Sequence, residues 1–174
     1  MADDLITIYR IQQMHPKVRN EVLQAYRHVN DKLLGKGVRL RFAYTYRSLT
    51  EQAALYAQGR TKPGNKVTNA KAGQSIHNYG LAFDIVLLLD KNNDGIFETA
   101  SWSVVADNDK DGIADWMEVV KYFKSIGWVW GGDWRSFPDM PHFEKTFGYN
   151  WQGLQNTVNS GKYINENGFI YPNI

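Results

Sequence analysis

Apolar side chains recur at helical spacing between residues 16 and 34. The apolar stripe consists of Val18, Val22, Ala25, Val29 and Leu33. Pro16 is suited to a first helical turn, and Gly35 and Gly37 can end a helix. The pattern therefore predicts one amphipathic helix over 16–34.

The period changes at residue 38 to strict alternation, which is typical of a half-buried strand. The apolar positions of this strand are Val38, Leu40, Phe42 and Tyr44. A second helix is predicted over 51–56, with Ser48 or Thr50 as its cap. The loop 59–73 is rich in Gly, Lys, Thr and Asn, so it is expected on the surface.

The run 81–89 is apolar almost throughout, which favours a central strand interrupted once, by Asp84. A carboxylate buried there is costly unless a cation pairs with it. A helix is predicted over 116–125, and short strands over 128–130 and 140–144. These elements predict an α+β fold, a small antiparallel or mixed sheet flanked by helices.

Residues 1–174 are expected to form a single domain in which 90–118 is an insertion and 150–174 an irregular C-terminal arm. The content of 43% hydrophobic and 14% aromatic residues indicates an ordered chain. Twenty basic and 18 acidic residues, without a long basic run, argue against nucleic-acid binding. The absence of cysteine excludes disulfides and thiol chemistry. No apolar stretch is long enough to span a membrane, and no export signal is visible at the N-terminus.

Three residues have the composition of an open zinc site: His77, Asp84 and His142. Two imidazoles and one carboxylate leave a fourth tetrahedral position for water, and the cation would offset the burial of Asp84. The alternative is that each histidine only makes structural hydrogen bonds. The other two histidines, His15 and His28, are expected on the surface.

The sequence motifs around these residues resemble those of a known family. They are Tyr46-Arg-Ser-x-x-Glu-Gln, Ser75-x-His-x-x-Gly-x-Ala-x-Asp84, Trp130-Gly-Gly-Asp-Trp134 and Pro141-His-Phe143. The chain over about 38–147 resembles the zinc peptidases of peptidoglycan, which include D-alanyl-D-alanine carboxypeptidases, L-alanyl-D-glutamate endopeptidases, vancomycin-resistance peptidases and phage endolysins.

The resemblance implies a role for several residues. It makes His77, Asp84 and His142 the zinc ligands, Asp139 the general base, Arg47 the group that stabilises the oxyanion, and Ser75 a substrate contact. Glu144 stays open as an alternative base, because it would point to the same face of an extended segment as His142.

The activity implied is hydrolysis of a peptide bond in peptidoglycan stem peptides. The Trp-Gly-Gly-Asp-Trp and Tyr-Ala-Gln-Gly-Arg-Thr words favour an L-alanyl-D-glutamate endopeptidase over a D-alanyl-D-alanine carboxypeptidase. A non-catalytic zinc and calcium binding module on the same fold is the alternative of another class. We expect a monomer with no nucleic-acid or membrane partner. Without an export signal, a cytoplasmic product would reach the wall through a holin, a secretion machine or lysis, as for a phage or prophage enzyme.

Residues 107–118 match a twelve-residue calcium loop. Its ligand positions are occupied by Asp107, Asp109, Asp111, the Ile113 carbonyl, Asp115 and Glu118, with Gly112 at the sharp turn. The segment 90–98 repeats the first half, with Asp90, Asn92, Asp94 and Glu98 as candidate ligands, but Ser101 stands where the bidentate glutamate belongs. Both loops are predicted calcium sites, and the alternative is that they are solvated acidic turns. A helix is expected after the loop 107–118 but not before it.

Overall fold

The computed structural model describes residues 3–174 and has an α+β fold, as the sequence predicted. Its α-helices are α1 (Leu5–Gln12), α2 (Pro16–His28), α3 (Leu49–Ala57), α4 (Asp115–Ser125) and α5 (Trp151–Asn159). Its strands are β1 (Val38–Tyr44), β2 (Ala82–Leu89), β3 (Thr99–Ser101), β4 (Val129–Trp130), β5 (His142–Glu144), β6 (Tyr163–Glu166) and β7 (Phe169–Pro172). A π-helical turn covers Val29–Leu33, and 3-10 turns cover Ile76–Tyr79 and Gly131–Asp133.

Strand β2 is the centre of an antiparallel sheet. β1 pairs along one of its edges, while β5 and β3 share the other, β5 opposite the start of β2 and β3 opposite its end. β4 extends the sheet beyond β5. The register sets Asp84 of β2 between Tyr44 of β1 and His142 of β5. The predicted central strand is confirmed, and Asp84 lies where three strands meet.

The opposite face of β2 forms the core. Phe83 stacks on Phe42 of β1 and on Phe143 of β5, with ring centroids 4.3 and 5.2 Å apart, and Phe123 of α4 packs on it at 4.9 Å. All four rings are buried. Truncating one such ring to alanine costs about 3–5 kcal/mol, so this cluster holds the register that places Asp84.

The three predicted helices are present, with one change. The 16–34 helix is α-helical to His28 and then widens into the π-helical turn, where the buried Asn30 amide donates to the Tyr26 carbonyl and its oxygen accepts from Leu40 N–H. These bonds tie the end of the helix to β1. Ser48 caps α3 in a reciprocal capping box with Glu51, as one of the two predicted caps.

Helix α1 was not foreseen, because its sequence Leu-Ile-Thr-Ile is rich in β-branched residues. Asp4 caps it by accepting from Thr7 N–H, and Arg41 of β1 donates to the same carboxylate at 2.9 and 2.7 Å. Thr7 Oγ1 in turn accepts from Phe42 N–H. Tertiary hydrogen bonds to β1 therefore fix a helix that local propensity does not favour.

The expectation that His15 lies on the surface is wrong. His15 is 1% exposed and caps α2: its Nδ1 accepts from Lys17 N–H, and its Nε2 donates to the Pro172 carbonyl at 2.8 Å. The ring thus joins the start of α2 to β7. His28 is exposed, as expected, and stacks on Tyr122.

The expectation of an irregular C-terminal arm is also wrong. Asn150 caps α5, and β6 and β7 form a hairpin around Asn167-Gly168. Both turn residues have positive φ, 52° and 87°, the conformation in which an Asn-Gly pair closes a two-residue hairpin. The Asn-Gly pair is typical of such a turn, but it was not recognised because the whole segment from residue 150 onward is rich in Asn and Gly.

Candidate active site

Asp84, His142 and His77 converge at the end of the sheet. Asp84 and His142 are direct partners across β2 and β5, so their side chains share one face. His77 comes from the 3-10 turn before β2, which Gly80 ends in a left-handed conformation, φ 67°. A Cβ on Gly80 would lie 2.7 Å from His15 N, so only glycine lets this turn pack closely enough.

The three donor atoms form an equilateral triangle. Asp84 Oδ1, His77 Nε2 and His142 Nδ1 are each 3.2 Å from the other two. Three corners of a tetrahedron with bonds of about 2.0–2.1 Å are separated by roughly 3.3 Å, the bond lengths of zinc to nitrogen and oxygen. The residues therefore fit a tetrahedral metal ion that keeps one open position.

Hydrogen bonds behind the triangle fix the tautomer of each histidine. His77 Nδ1 lies 2.6 Å from the Thr45 carbonyl, which can only accept, so Nδ1 carries the proton and Nε2 presents its lone pair. His142 Nε2 lies 2.9 Å from Glu144 Oε2, so His142 presents Nδ1. Backing of this kind orients metal-binding imidazoles in proteins.

The electrostatics of the triangle favour a cation. Burial raises the pKa of Asp84, but His77 and His142 outweigh that effect and hold the Asp84 pKa well below its usual range. Burial lowers the pKa of His142, but hydrogen bonds to Asp84 and Glu144 outweigh burial and raise the pKa to about 9. The negative charge of Asp84 and the two imidazole nitrogens that face it therefore favour a bound cation, whose ligands must be deprotonated.

Arg47 lies beside the triangle and is held from several sides. Its guanidinium donates to Gln52 Oε1 at 3.1 Å, lies over the Tyr44 ring at 4.6 Å and reaches within 3.9 Å of Asp84 Oδ2. Its backbone N–H donates to the His77 carbonyl. Its buried Nε has no hydrogen-bond partner among residues 3–174. A buried donor without a partner is suited to an anionic ligand group.

Asp139 lies in the loop after the Gly-Gly turn. Its backbone N–H donates to the Gly131 carbonyl, and its own carbonyl accepts from His142 N–H. A Cβ on Gly131 would lie 2.5 Å from the Asp139 carbonyl oxygen, which explains a glycine there. Loss of hydration on the pocket side, followed by the charge of Asp84, raises the pKa of the Asp139 carboxyl, although the residue is exposed at the rim.

One cavity of about 500 Å³ brings the predicted site residues together. Its lining includes Arg47, Ser75, His77, Asp84, Asp139, His142 and Glu144. Two groups at the site were not predicted from the sequence: the side chain of Gln52, which is fully buried, and the Thr45 carbonyl. Gln52 could have been predicted from the motif Glu-Gln that follows Arg47 in the sequence. A contact made by a backbone carbonyl cannot be predicted from a motif, because every residue has that group.

The two acidic loops share one backbone conformation. Asn93 and Lys110, each at the fourth position of its loop, have positive φ, as do Gly95 and Gly112 at the sixth. In the loop 107–118, carboxylate oxygens of Asp107, Asp109 and Asp115 lie within 4.8 Å of one another, as do those of Asp109, Asp111 and Glu118. In the other loop the same holds for Asp90, Asp94 and Glu98. Helix α4 begins at Asp115, while 102–106 has no regular structure, as expected.

The chain matches known peptidases over this site. Residues 68–145, which contain all three donor residues and Asp139, match a family model described as D-alanyl-D-alanine carboxypeptidase. These residues therefore resemble that peptidase family, and the resemblance inferred from the sequence is confirmed.

A curated relative and a solved structure agree with this family. Over 109 residues the chain is 46% identical to the peptidoglycan L-alanyl-D-glutamate endopeptidase CwlK of Bacillus subtilis (strain 168). The aligned region covers 63% of this chain and 62% of CwlK. The chain thus spans less than two thirds of that relative. The structure of the Serratia marcescens L-Ala D-Glu endopeptidase ChiX matches 82% of this chain and 87% of its own, with 19% identity and a TM-score of 0.50, and it shows the same fold. Within residues 3–174, no helix is long and apolar enough to cross a membrane.

Proposed function

We propose that the protein is a zinc peptidase that hydrolyses the L-alanyl-D-glutamate bond of peptidoglycan stem peptides. The observation that carries this proposal is the 3.2 Å triangle of His77, Asp84 and His142 in one cavity with Arg47 and Asp139. The 46% identity to an L-alanyl-D-glutamate endopeptidase supports the choice of bond.

Each side chain around the triangle has a distinct task. A bound zinc ion would lower the pKa of a coordinated water and polarise the scissile carbonyl. Asp139, whose pKa is raised by its surroundings, accepts the proton of the attacking water and passes it to the leaving amine. Arg47 directs its guanidinium, including the unpartnered Nε, to the negative charge that develops on the carbonyl oxygen. Ser75 lines the cavity and would contact the substrate.

Glu144 is better suited to hold His142 than to act as the base. Its Oε2 accepts from His142 Nε2, on the side of the ring opposite the donor atom Nδ1. Within residues 3–174, by contrast, the Asp139 side chain makes no hydrogen bond to His77, Asp84 or His142. This favours Asp139 for proton transfer.

Two alternatives remain, and one observation bears on each. The matched family model is described as D-alanyl-D-alanine carboxypeptidase, which supports removal of a terminal D-alanine. A non-catalytic binding module would keep the metal triangle without needing Arg47 or Asp139, so the presence of both residues in the cavity argues against it.

We also propose that the loop 107–118 binds Ca²⁺. The proposal is supported by the full ligand pattern, by the convergence of the carboxylates, and by their mutual repulsion. Burial and then the charges of the neighbouring aspartates, Asp111 first, raise the pKa of Glu118 to about 7. The loop 90–98 would bind calcium more weakly, because it lacks the bidentate glutamate.

We infer one peptidase domain over residues 1–174, with 90–118 inserted between the second and third zinc ligands, acting as a monomer on the cell wall after release from the cytoplasm. Analytical ultracentrifugation of the intact chain tests the monomer.

Digestion of purified peptidoglycan, followed by mass spectrometry of the fragments, tests the activity. Wild-type protein is compared with Asp139→Asn and with Asp133→Asn, an exposed aspartate of the same loop that pairs with Lys124. New amino-terminal D-glutamate in the wild-type and Asp133→Asn digests, absent with Asp139→Asn, supports the endopeptidase. Loss of a terminal D-alanine identifies the carboxypeptidase, and no cleavage by folded, zinc-loaded protein supports the binding module.

A further inference from the structure

A second groove, of about 480 Å³, lies beside the candidate active site. Its lining includes Leu5, Ile6 and Tyr9 of α1, and Tyr44, Tyr46 and Glu51. The volume lies within the usual range for small-ligand sites, about 300–1,000 Å³. The groove thus has the size of a binding site, and its lining is mainly aromatic and aliphatic.

Tyr44 connects this groove to the metal cavity. It lines both, its ring meets the His77 ring edge-on with centroids 6.4 Å apart, and Arg47 lies over its face. The groove and the metal cavity therefore share Tyr44 as a common wall.

The exposed side chains of α1 are held in place. Leu5 is 80% exposed and Tyr9 63% exposed, although the opposite side of the helix is buried. Arg10 donates to the Phe42 carbonyl, and Thr45 Oγ1, just after β1, donates to the Arg10 carbonyl. With the bond of Arg41 to the cap Asp4, hydrogen bonds fix both ends of the helix. Large apolar side chains on a fixed, exposed helix face are typical of a recognition surface.

On the other wall, Tyr46 is equally fixed. Its ring packs edge-on against Phe169 and Tyr171 of β7, at 5.0 and 5.7 Å. The groove is therefore preformed, with tyrosine rings on both walls, and a ligand would not need to order it.

The chemistry of the lining favours an uncharged, amphipathic ring. Tyrosine rings present flat apolar faces with hydroxyl groups at their edges. Among residues 3–174, the one basic residue of the lining is Arg10, whose Nη1 donates to the Phe42 carbonyl, and Glu51 adds a carboxylate to the same lining. The groove therefore lacks the cluster of cations that a phosphate would favour. A pyranose has the matching surface, apolar C–H faces with hydroxyl and acetamido groups at the rim.

We propose that this groove binds the glycan strand of peptidoglycan, at the N-acetylmuramic acid that bears the stem peptide. The inference depends on the proposed function. The L-alanine of a stem peptide is joined to the lactyl group of that sugar, so the bond to D-glutamate lies one residue from the glycan. A peptidase that cuts there holds the sugar near its metal centre, and the groove beyond Tyr44 is a site of fitting size and chemistry.

The test compares two substrates that differ only in the sugar: the free stem tripeptide with an N-lactyl group on its L-alanine, so that the alanine nitrogen is an amide in both, and the same tripeptide on an N-acetylglucosaminyl-N-acetylmuramic acid disaccharide. Wild-type protein should have the lower KM for the disaccharide substrate. Tyr9→Ala should raise that KM about fivefold with kcat unchanged and leave the free tripeptide unaffected, while Tyr9→Trp should retain most of the preference. Tyr163→Ala, an exposed tyrosine of β6, is the matched control.

Equal KM values of the wild-type protein for the two substrates would overturn the glycan site while leaving the peptidase intact. A rise of both KM values in Tyr9→Ala would also overturn it. Titration of the disaccharide alone, followed by NMR, gives a readout that does not depend on cleavage: saturable binding that Tyr9→Ala weakens and Tyr163→Ala does not is expected. If neither substrate is cleaved, the proposed function fails, and absence of saturable binding then rejects the groove as well.

Discussion

At the scale of single residues, short sequence motifs predict which side chains form the site. They do not predict the groups that hold those side chains in place. His77, Asp84 and His142 have the residue types and open coordination of a zinc site. Gln52 and the Thr45 carbonyl reach the site only through tertiary contacts, with Arg47 and with His77 respectively. Sequence alone cannot report such contacts, because they depend on how separate elements pack.

Glu144 provides a first residue-scale prediction. Glu144→Ala should lower zinc affinity about 10–100-fold, because His142 loses the acceptor that fixes its tautomer. Competition with a chromophoric chelator measures the affinity, and Glu21→Ala, at an exposed carboxylate paired with Lys145, is the control. Unchanged zinc affinity together with lost cleavage would instead make Glu144 the general base.

Gln52 provides a second residue-scale prediction. Gln52→Ala should lower kcat by about tenfold or more, because Arg47 loses the side chain that positions its guanidinium, while zinc affinity stays within a factor of two. The variant should also lose about 1–3 kcal/mol of stability, since Gln52 donates to the Ala70 carbonyl in the interior. Gln24→Ala, on the exposed face of α2, is the control. A kcat that matches the wild type would show that Arg47 needs no such support.

At the scale of elements, hydrophobic periodicity located α2, β1, β2 and α4, because each buries one face or two. It did not locate α1, whose β-branched sequence is helical only because β1 supplies its hydrogen bonds. The β6–β7 hairpin carried a local signal in Asn167-Gly168 that composition outweighed.

His15, the cap of α2, gives a prediction at this scale. Burial lowers its pKa below the ordinary value of 6.5, although its bond to the Pro172 carbonyl opposes this. The unfolded chain therefore takes up a proton before the folded protein does, so stability is retained above pH 6.5 and falls as the pH drops below it. One such proton contributes at most about 1.4 kcal/mol per pH unit.

Urea denaturation between pH 7.5 and 5 measures this slope. His15→Asn keeps a capping oxygen but cannot titrate, so its stability should depend less on pH than that of the wild type. His28→Asn, at an exposed histidine, should behave as the wild type does. Equal slopes for all three proteins would remove His15 as the titrating group.

At the scale of the whole molecule, the class α+β followed from the order of predicted elements, but the sheet order did not. β5 joins β2 from far along the chain, past both acidic loops, and only this pairing sets His142 opposite Asp84. The same topology ties the loop 107–118 to the body of the protein, because Asp109 Oδ2 accepts from Gly35 N–H at 2.6 Å.

Calcium should therefore stabilise the whole chain. At a concentration 100 times its Kd, a ligand of the folded state contributes about 2.7 kcal/mol, which corresponds to a rise in Tm of roughly 5–10 °C for a chain of this size. Differential scanning calorimetry of the zinc-loaded protein measures it. Glu118→Gln should abolish most of the rise and Glu98→Gln little of it, and a Tm that does not respond to calcium would contradict the site.

The central claim is that three side chains hold one metal ion that drives the hydrolysis. The most direct measurement is to strip the protein with chelator, restore calcium, and titrate zinc back while counting the new D-glutamate amino termini released from peptidoglycan. The account predicts that the rate rises linearly to one equivalent of zinc and then stays constant, and that His142→Ala shows no rise. Cleavage at full rate by the metal-free protein, or restored activity in His142→Ala at one equivalent, would contradict it.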